Sequence, residues 1–218
     1  MVIAMQGKYS SVYIAALILA IFAILGSSLV SFTHLQTAER IKENQRQALL
    51  RQLHKLVPAE RIDNDIALDN KQLSSFQYLG NESSLVYFGR KQGQIVAMVF
   101  EASTRSGYNG TIDTLVAVNV DGSIAGVRVT NHHETPGLGD KVEEQRSSWI
   151  HSFTDKSLSD PDINRWKVKR DGGVFDQFTG ATITPRAVVE TVKKTLIYYR
   201  DNRDQLLSQP QMPEEKSS

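Results

Sequence analysis

Two stretches of the chain hold residue types that can do chemistry. Asp176-Gln177-Phe178-Thr179-Gly180-Ala181-Thr182 sets a hydroxyl beside two small residues, just ahead of a helix start. Small residues let another molecule come close to the backbone. A helix start offers unpaired N–H groups and partial positive charge, which suits a phosphate. An ordinary turn leading into a helix has the same residue types, so chemistry alone leaves both readings open. The second stretch is His132-His133-Glu134-Thr135-Pro136-Gly137-Leu138-Gly139. Two glycines and a proline make it an irregular loop able to approach a ligand. Its histidines and Glu134 raise the question of a metal, with His151 as a third ligand. The His-Glu-x-x-His spacing that puts two histidines on one helix face is absent, and no other ligand set has defined spacing.

Composition removes several alternatives. The chain has no cysteine, so disulfides, thiolate metal sites and a cysteine nucleophile are excluded. Lys and Arg number 25 against 24 Asp and Glu, which leaves no charged field to recruit nucleic acid. One segment departs from a soluble pattern. Tyr9 to Ala38 contains no Asp, Glu, Lys or Arg, and its core, Val12–Val30, would be about 28 Å long as a helix. That length suits an uncleaved membrane anchor. A buried core helix and a cleaved signal peptide are the alternatives, the latter normally shorter and more basic at its start. Lys8 precedes the span, whereas Arg40, Lys42, Arg46 and Arg51 follow it. Positive-inside counting alone would keep the main domain in the cytoplasm.

The elements that must position the two stretches read as α+β. Leu35, Ala38, Ile41, Gln45, Leu49, Leu53 and Leu56 recur at helical spacing until Pro58, as a free stalk or as a helix packed on the domain. Residues 59–80 show no clear period. Strands are expected at Leu85–Gly89 and Gln94–Ala102, then at Ile112–Val120 and Ser123–Asn131 around an Asp121-Gly122 hairpin turn. A short helix is expected over 141–154 and a short strand over Trp166–Arg170. The closing helix has Thr184 as N-cap, Pro185 at its first position and an apolar face of Val188, Val189, Val192, Leu196 and Tyr199. It is expected to end near Asn202, with a polar tail from Gln209 to Ser218.

With these elements in order, the sequence resembles the FMN-binding domain family of the Rnf electron-transport complex, in its G subunit. That family is related to the C subunit of the sodium-translocating NADH:quinone reductase. The likeness rests on Glu134-Thr135-Pro136-Gly137-Leu138-Gly139, on Asp176 to Thr182, on Gly107-Tyr108 before the hairpin, on the single anchor and on the closing helix. The family's attachment signal is Asp-x-x-Ser/Thr-Gly-Ala-Thr, and Asp176, Thr179, Gly180, Ala181 and Thr182 complete it. The resemblance implies FMN joined through a phosphoester to Thr182, placed there by a flavin transferase that uses FAD. It also implies that Glu134, Thr135, Gly137, Leu138 and Gly139 line the ring site. Leu138 would cover the apolar end of the ring. Lys141 reads as a phosphate contact or a plain surface lysine, and Tyr108 as a ring contact or a packing residue.

The implied activity is electron relay inside an ion-translocating ferredoxin/NAD oxidoreductase complex, beside other membrane subunits. No catalytic site of its own is legible, and the span carries no ionisable group that would form an ion path. The resemblance places the anchor in a bacterial inner membrane with the globular domain on the periplasmic side, against the charge count. The expected layout is a cytoplasmic N-terminus over 1–10, a transmembrane helix over 11–32, a helical linker and connecting segment over 33–80, the FMN-binding domain over 81–205 and a disordered tail over 206–218. A structural or assembly subunit with an unmodified threonine, and a membrane-tethered flavin-containing regulator, remain open readings of the same residues.

Overall fold

The computed structural model describes residues 3–210. The part of the expected tail at 211–218 lies outside the described residues. The chain divides into two compact units, Met1–Ala48 and Leu49–Ser218.

The first unit is helix α1, Ile3–Leu56, up to the unit boundary, which the helix runs through. From Tyr13 to Val30 its side chains are exposed all round, Leu17, Leu19, Phe22, Ile24 and Leu29 among them. Apolar side chains on every face of a helix need an apolar surrounding that water cannot give. Among the described residues this is the one helix long and apolar enough to cross a membrane.

The second unit is built on a five-stranded antiparallel sheet. Its strands are β1 Asn70–Leu73, β2 Ser84–Lys91, β3 Gln94–Thr104, β4 Ile112–Asn119 and β5 Ile124–His132, paired in sequence order. Two tight turns set the register. Gln92 and Gly93 both take positive φ between β2 and β3. At the β4–β5 turn, the Asp121 carboxylate accepts the Ser123 hydroxyl at 2.6 Å and the Ser123 N–H at 2.8 Å, and Gly122 has φ +89°. Those two bonds from Ser123 hold the Asp121 carboxyl below the usual carboxylate range.

Strand alternation sends residues to two covered faces. Phe88, Met98, Phe100, Val116, Val118 and Ile124 pack under helix α3, Ile183–Leu207, with Val188, Val192 and Leu196 opposite. Tyr87, Ala97, Val99, Leu115 and Ala117 pack against Leu53 and Leu56 from the end of α1, and against Val57, Ile62 and Ile66. Residues 49–57 are therefore packed on the domain and are no free stalk. Gly126 permits this approach, since a Cβ there would lie 2.9 Å from Leu56 Cδ2.

The structure corrects several local expectations. The stretch read as a helix over 141–154 holds two 3-10 turns, Gly139–Val142 and Ser148–Phe153. The Ser147 hydroxyl accepts the Trp149 N–H at 3.2 Å and starts the second. Trp166–Arg170 forms no strand beyond a single bridge, Val168 to Phe175, between 3-10 turns. Its residues are placed instead by an aromatic cluster. Phe153 stacks on Phe175 at 4.6 Å, and the Trp166 indole N–H donates to the Ser157 carbonyl at 2.9 Å. The periodless stretch 59–80 contains β1 and a one-turn helix α2, Phe76–Leu79.

Helix α3 continues to Leu207, past Asn202. Residues 206–210, read as part of a disordered tail, are ordered. Gln209 accepts Lys71 Nζ at 2.8 Å through its side chain and Arg90 Nη2 at 2.9 Å through its carbonyl. Arg90 is 4% exposed and also donates to Asp69 at 2.7 Å. Breaking such a buried pair on one side leaves an uncompensated charge.

Gly80 closes α2 at φ +77°, and a Cβ there would overlap the Ser103 backbone carbonyl. Gly93 has φ +75° with open space around it. Gly80→Ala should cost about 2 kcal/mol or more, and Gly93→Ala about 1–2 kcal/mol from backbone strain alone. Urea unfolding of the two variants measures the difference.

Candidate functional site

Three segments far apart in sequence meet at one end of the domain. One is the 105–111 connection between β3 and β4. The second is the loop after β5, and the third is the stretch leading into α3. They enclose a cleft of about 370 Å³, within the range of small-molecule sites, about 300–1,000 Å³. Tyr108 comes from the first segment, Glu134, Thr135, Leu138 and Gly139 from the second, and Gly180 through Thr184 from the third.

Glu134 holds the three together. It is 4% exposed. Its Oε1 accepts the Asn109 backbone N–H at 2.9 Å, and its Oε2 accepts the Thr184 hydroxyl in a short hydrogen bond. A buried carboxylate without donors is costly, so these two bonds fix both neighbours. Glycine makes room for them. A Cβ on Gly107 would lie 2.8 Å from Glu134 Oε1, and one on Gly139 would lie 2.9 Å from both Glu134 Cβ and Thr184 Oγ1. Asn109 Nδ2 donates to Thr135 Oγ1 at 3.1 Å and ties the first two segments again.

The third segment turns sharply before the helix. The Ala181 N–H donates to the Phe178 carbonyl at 3.1 Å, and Gly180 has φ +83°, the conformation glycine supplies at the third position of a tight turn. Phe178 is buried edge-on to Trp149 at 5.1 Å. The Trp149 indole N–H donates to the Asp176 carbonyl at 2.8 Å. The backbone of the segment is thus pinned while its small residues stay open.

Thr182, not Thr184, caps α3. The sequence pattern favoured Thr184 because a threonine before a proline is a good cap. Its hydroxyl is instead engaged by Glu134, which draws residue 184 into the first helical turn. The Thr182 side chain makes no capping hydrogen bond, so its hydroxyl is free of structural duty. Its carbonyl accepts the Arg186 N–H at 3.3 Å. Among the described residues, no protein acceptor meets the N–H groups of Thr182, Ile183 and Thr184, and Pro185 has none. One end of the cleft is therefore suited to an anion.

The rest of the rim is apolar and open. Tyr108 is 67% exposed, Ile183 43% and Leu138 41%. The Leu138 side chain leans over Gly180, where a Cβ would lie 3.4 Å from Leu138 Cδ2. A flat apolar group bearing a phosphate matches this donor set.

The sequence-derived candidates separate on this geometry. Thr182, Gly180, Ala181, Glu134, Thr135, Leu138 and Gly139 line the cleft, as does Tyr108. Gly137 shapes the loop at φ +76°, and Thr179 is exposed on the turn, neither of them in the lining. The Asp176 carboxylate points away to Lys169 at 2.6 Å. Lys141 does not line the cleft. Ile183, Thr184 as the partner of Glu134, and Trp149 went unread as site residues.

The histidines serve other ends. His132 Nδ1 accepts the Glu134 N–H at 3.0 Å, which leaves its Nε2 proton to the Glu143 carboxylate at 2.6 Å. His151 lies 3.4 Å from Glu144. Among the described residues no cluster of three or more ligating side chains is positioned for a metal. Beside the helix start, Arg186 donates to Asp171 at 2.6 and 2.9 Å. These bonds hold the Asp171 carboxyl below the usual range, helped by nearby Arg170 and Lys167.

Comparison with known families gives this arrangement a context. Residues 107–197 match the FMN-binding domain family, which takes in all the cleft-lining residues, and residues 5–56 match the RnfG N-terminal region. Three proteins named as the G subunit of the ion-translocating oxidoreductase complex align over nearly their whole length. That of Vibrio atlanticus is 44% identical over 89% of this chain and 93% of its own. That of Pseudomonas aeruginosa is 46% identical over 88% and 91%, and that of Shewanella baltica 42% over 88% and 92%. The chain belongs to the G-subunit family of the ion-translocating oxidoreductase complex. Membership in the G-subunit family accounts for both units together, since one match covers α1 and the other the cleft.

Gly139→Ala would press a methyl group between Glu134 and Thr184. It should destabilise the domain by about 1–3 kcal/mol. Thermal unfolding measures the loss, and a variant as stable as the wild type would contradict the tight junction.

Proposed function

We propose that this chain carries FMN as a phosphoester on the Thr182 oxygen and relays electrons inside an Rnf-type ion-translocating ferredoxin/NAD oxidoreductase complex. The observation that carries the proposal is the Thr182 hydroxyl. It lies in the lining of the cleft, partly buried, at a helix start and without a capping hydrogen bond. Family membership supports the complex, and the names of the relatives supply its redox character.

Attachment needs help from outside the chain. A threonine hydroxyl is a weak nucleophile without an adjacent base. Glu134 and Asp176 are both committed elsewhere, to Thr184 and to Lys169. A flavin transferase with FAD as donor meets the need. The Thr182 oxygen bonds to the FMN phosphorus, the FAD pyrophosphate bond breaks, AMP leaves, and the hydroxyl proton passes to a base of the transferase. The resulting phosphodiester keeps one negative charge beside the free amides of α3. A surface helix dipole contributes about 0.3–1 kcal/mol to such a charge, so the covalent bond holds the cofactor and the dipole only orients it.

Bound FMN supplies reversible electron uptake, which no side chain here can provide. The protein's part is to bind, orient and tune. Leu138, Ile183 and Tyr108 offer apolar surface for the ring, and Glu134 fixes the loops around it. The apolar span of α1, residues 13–30, carries no Asp, Glu, Lys or Arg and offers no ion path, so translocation is assigned to other membrane subunits. On this proposal the domain lies on the periplasmic side of a bacterial inner membrane, where a covalent bond would retain a cofactor that is scarce in solution.

Full-length chain co-expressed with a flavin transferase should give a band fluorescent under ultraviolet light on a denaturing gel. Thr182→Val should abolish the fluorescence without loss of fold, and Thr182→Ser should retain part of it. A fluorescent Thr182→Val band would refute attachment at this residue. Asp176 is exposed and paired only with Lys169, so Asp176→Ala should leave stability within about 0.5 kcal/mol. If the transferase reads that carboxylate, flavin loading falls several-fold. Full loading of Asp176→Ala would remove it from the recognition signal.

A further inference from the structure

Burial penalises a carboxylate's charge, so a buried carboxylate kept in a binding cleft needs compensation. Glu134 accepts one hydrogen bond on each oxygen and donates none, the pattern of the ionised group. Among the described residues, no lysine or arginine lies within ion-pair distance of it. Its compensation is neutral: the Thr184 hydroxyl, the Asn109 amide, and the start of α3, where Thr184 sits in the first turn. Those groups stabilise the charge without cancelling it. Glu134 also lines the cleft. A fixed negative charge in a poorly hydrated wall acts on a neighbouring charge more strongly than it would in water.

We propose that Glu134 tunes the ring site electrostatically: its buried carboxylate, with no cation beside it, opposes negative charge on a flavin held in the cleft and keeps that flavin's reduction potential low. The inference rests on the FMN reading above and adds a role for a residue that the same geometry makes a structural brace. The two roles come apart under substitution. Glutamine has the shape of glutamate. Its carbonyl oxygen can accept the Asn109 N–H while its NH2 donates to the Thr184 hydroxyl, which can also accept. Glu134→Gln therefore keeps the brace and removes the charge. Thr184→Val does the converse, leaving the charge and removing one of its donors. Glu134→Asp keeps the charge on a shorter side chain.

The test uses full-length chain purified in detergent from a host that supplies the flavin transferase. Intact mass first establishes flavin content, and titration with dithionite in the presence of redox mediators then gives the potential from flavin absorbance. Glu134→Gln should load flavin and show a potential shifted positive. Glu134→Asp should stay close to the wild type, and Thr184→Val should shift negative. A loaded Glu134→Gln chain with an unchanged potential would overturn the tuning role and leave a brace alone. A folded Glu134→Gln chain that carries no flavin would also overturn it, by making Glu134 a loading residue. Wild-type chain without added mass would sink the FMN reading itself, and this shows before any titration is run.

Discussion

The hydrogen bond from Thr184 to Glu134 is the constraint on which the rest of the site depends. It joins residues 50 apart in sequence, one in a loop after the sheet and one in the first turn of the last helix. A charge-assisted bond of this kind is worth about 1.5–3 kcal/mol, and an unmet buried carboxylate costs at least as much. The Asn109 amide completes the arrangement from a third segment. Glycine at 107 and 139 is required because any side chain there would enter the space that the carboxylate occupies. The glycines of the two loops thus serve the junction first and leave the cleft open as a consequence.

Behind that junction, the fold supplies rigidity from two sides. The sheet is covered on both faces, by α3 on one and by the end of α1 with residues 57–66 on the other. The aromatic cluster of Phe153, Trp166 and Phe175 fills the space beneath the irregular stretch 139–181, where 3-10 turns replace regular elements. Trp149 then passes this packing to residues 176–182 through Phe178 and the Asp176 carbonyl. The chain can therefore present Gly180, Ala181 and Thr182 openly, because their neighbours are pinned.

Much of this is legible in the sequence, for physical reasons that differ by element. The Asp121-Gly122 turn is a local signal, and the hairpin it predicts formed, as did the strands expected at Leu85–Gly89 and Gln94–Ala102, with strand ends shifted by a few residues. The uncharged run of α1 is unmistakable because hydropathy needs no partner to be read. The 176–182 segment and the glycine loop are recognisable as short patterns, and the structure brings both to one cleft. What stays hidden depends on distant contacts. Thr184 has the residue type of a cap, yet Glu134 takes its hydroxyl and shifts the helix start to Thr182. Trp166–Arg170 has strand-like composition, but its indole is held by the Ser157 carbonyl and its neighbours curl into 3-10 turns. Asp176 belongs to the attachment pattern, while its side chain turns outward to Lys169. The ordered end of α3 depends on Arg90 and Lys71 from the far edge of the sheet, which no local pattern near Gln209 reveals.

The proposed carrier role asks of this chain a site for FMN, and residues 107–197 match the FMN-binding domain family. The Thr182 hydroxyl, partly buried at a helix start and in the lining of the cleft, is the group on which the proposed attachment rests. The most direct test is the intact mass of the full-length chain isolated from its native host, followed by mapping of the fragment around residue 182. The account predicts a mass greater than that of the amino acids by one FMN less one water, carried by the Thr182 fragment. A chain that weighs only what its amino acids weigh, or one that bears the addition on another residue, would contradict it.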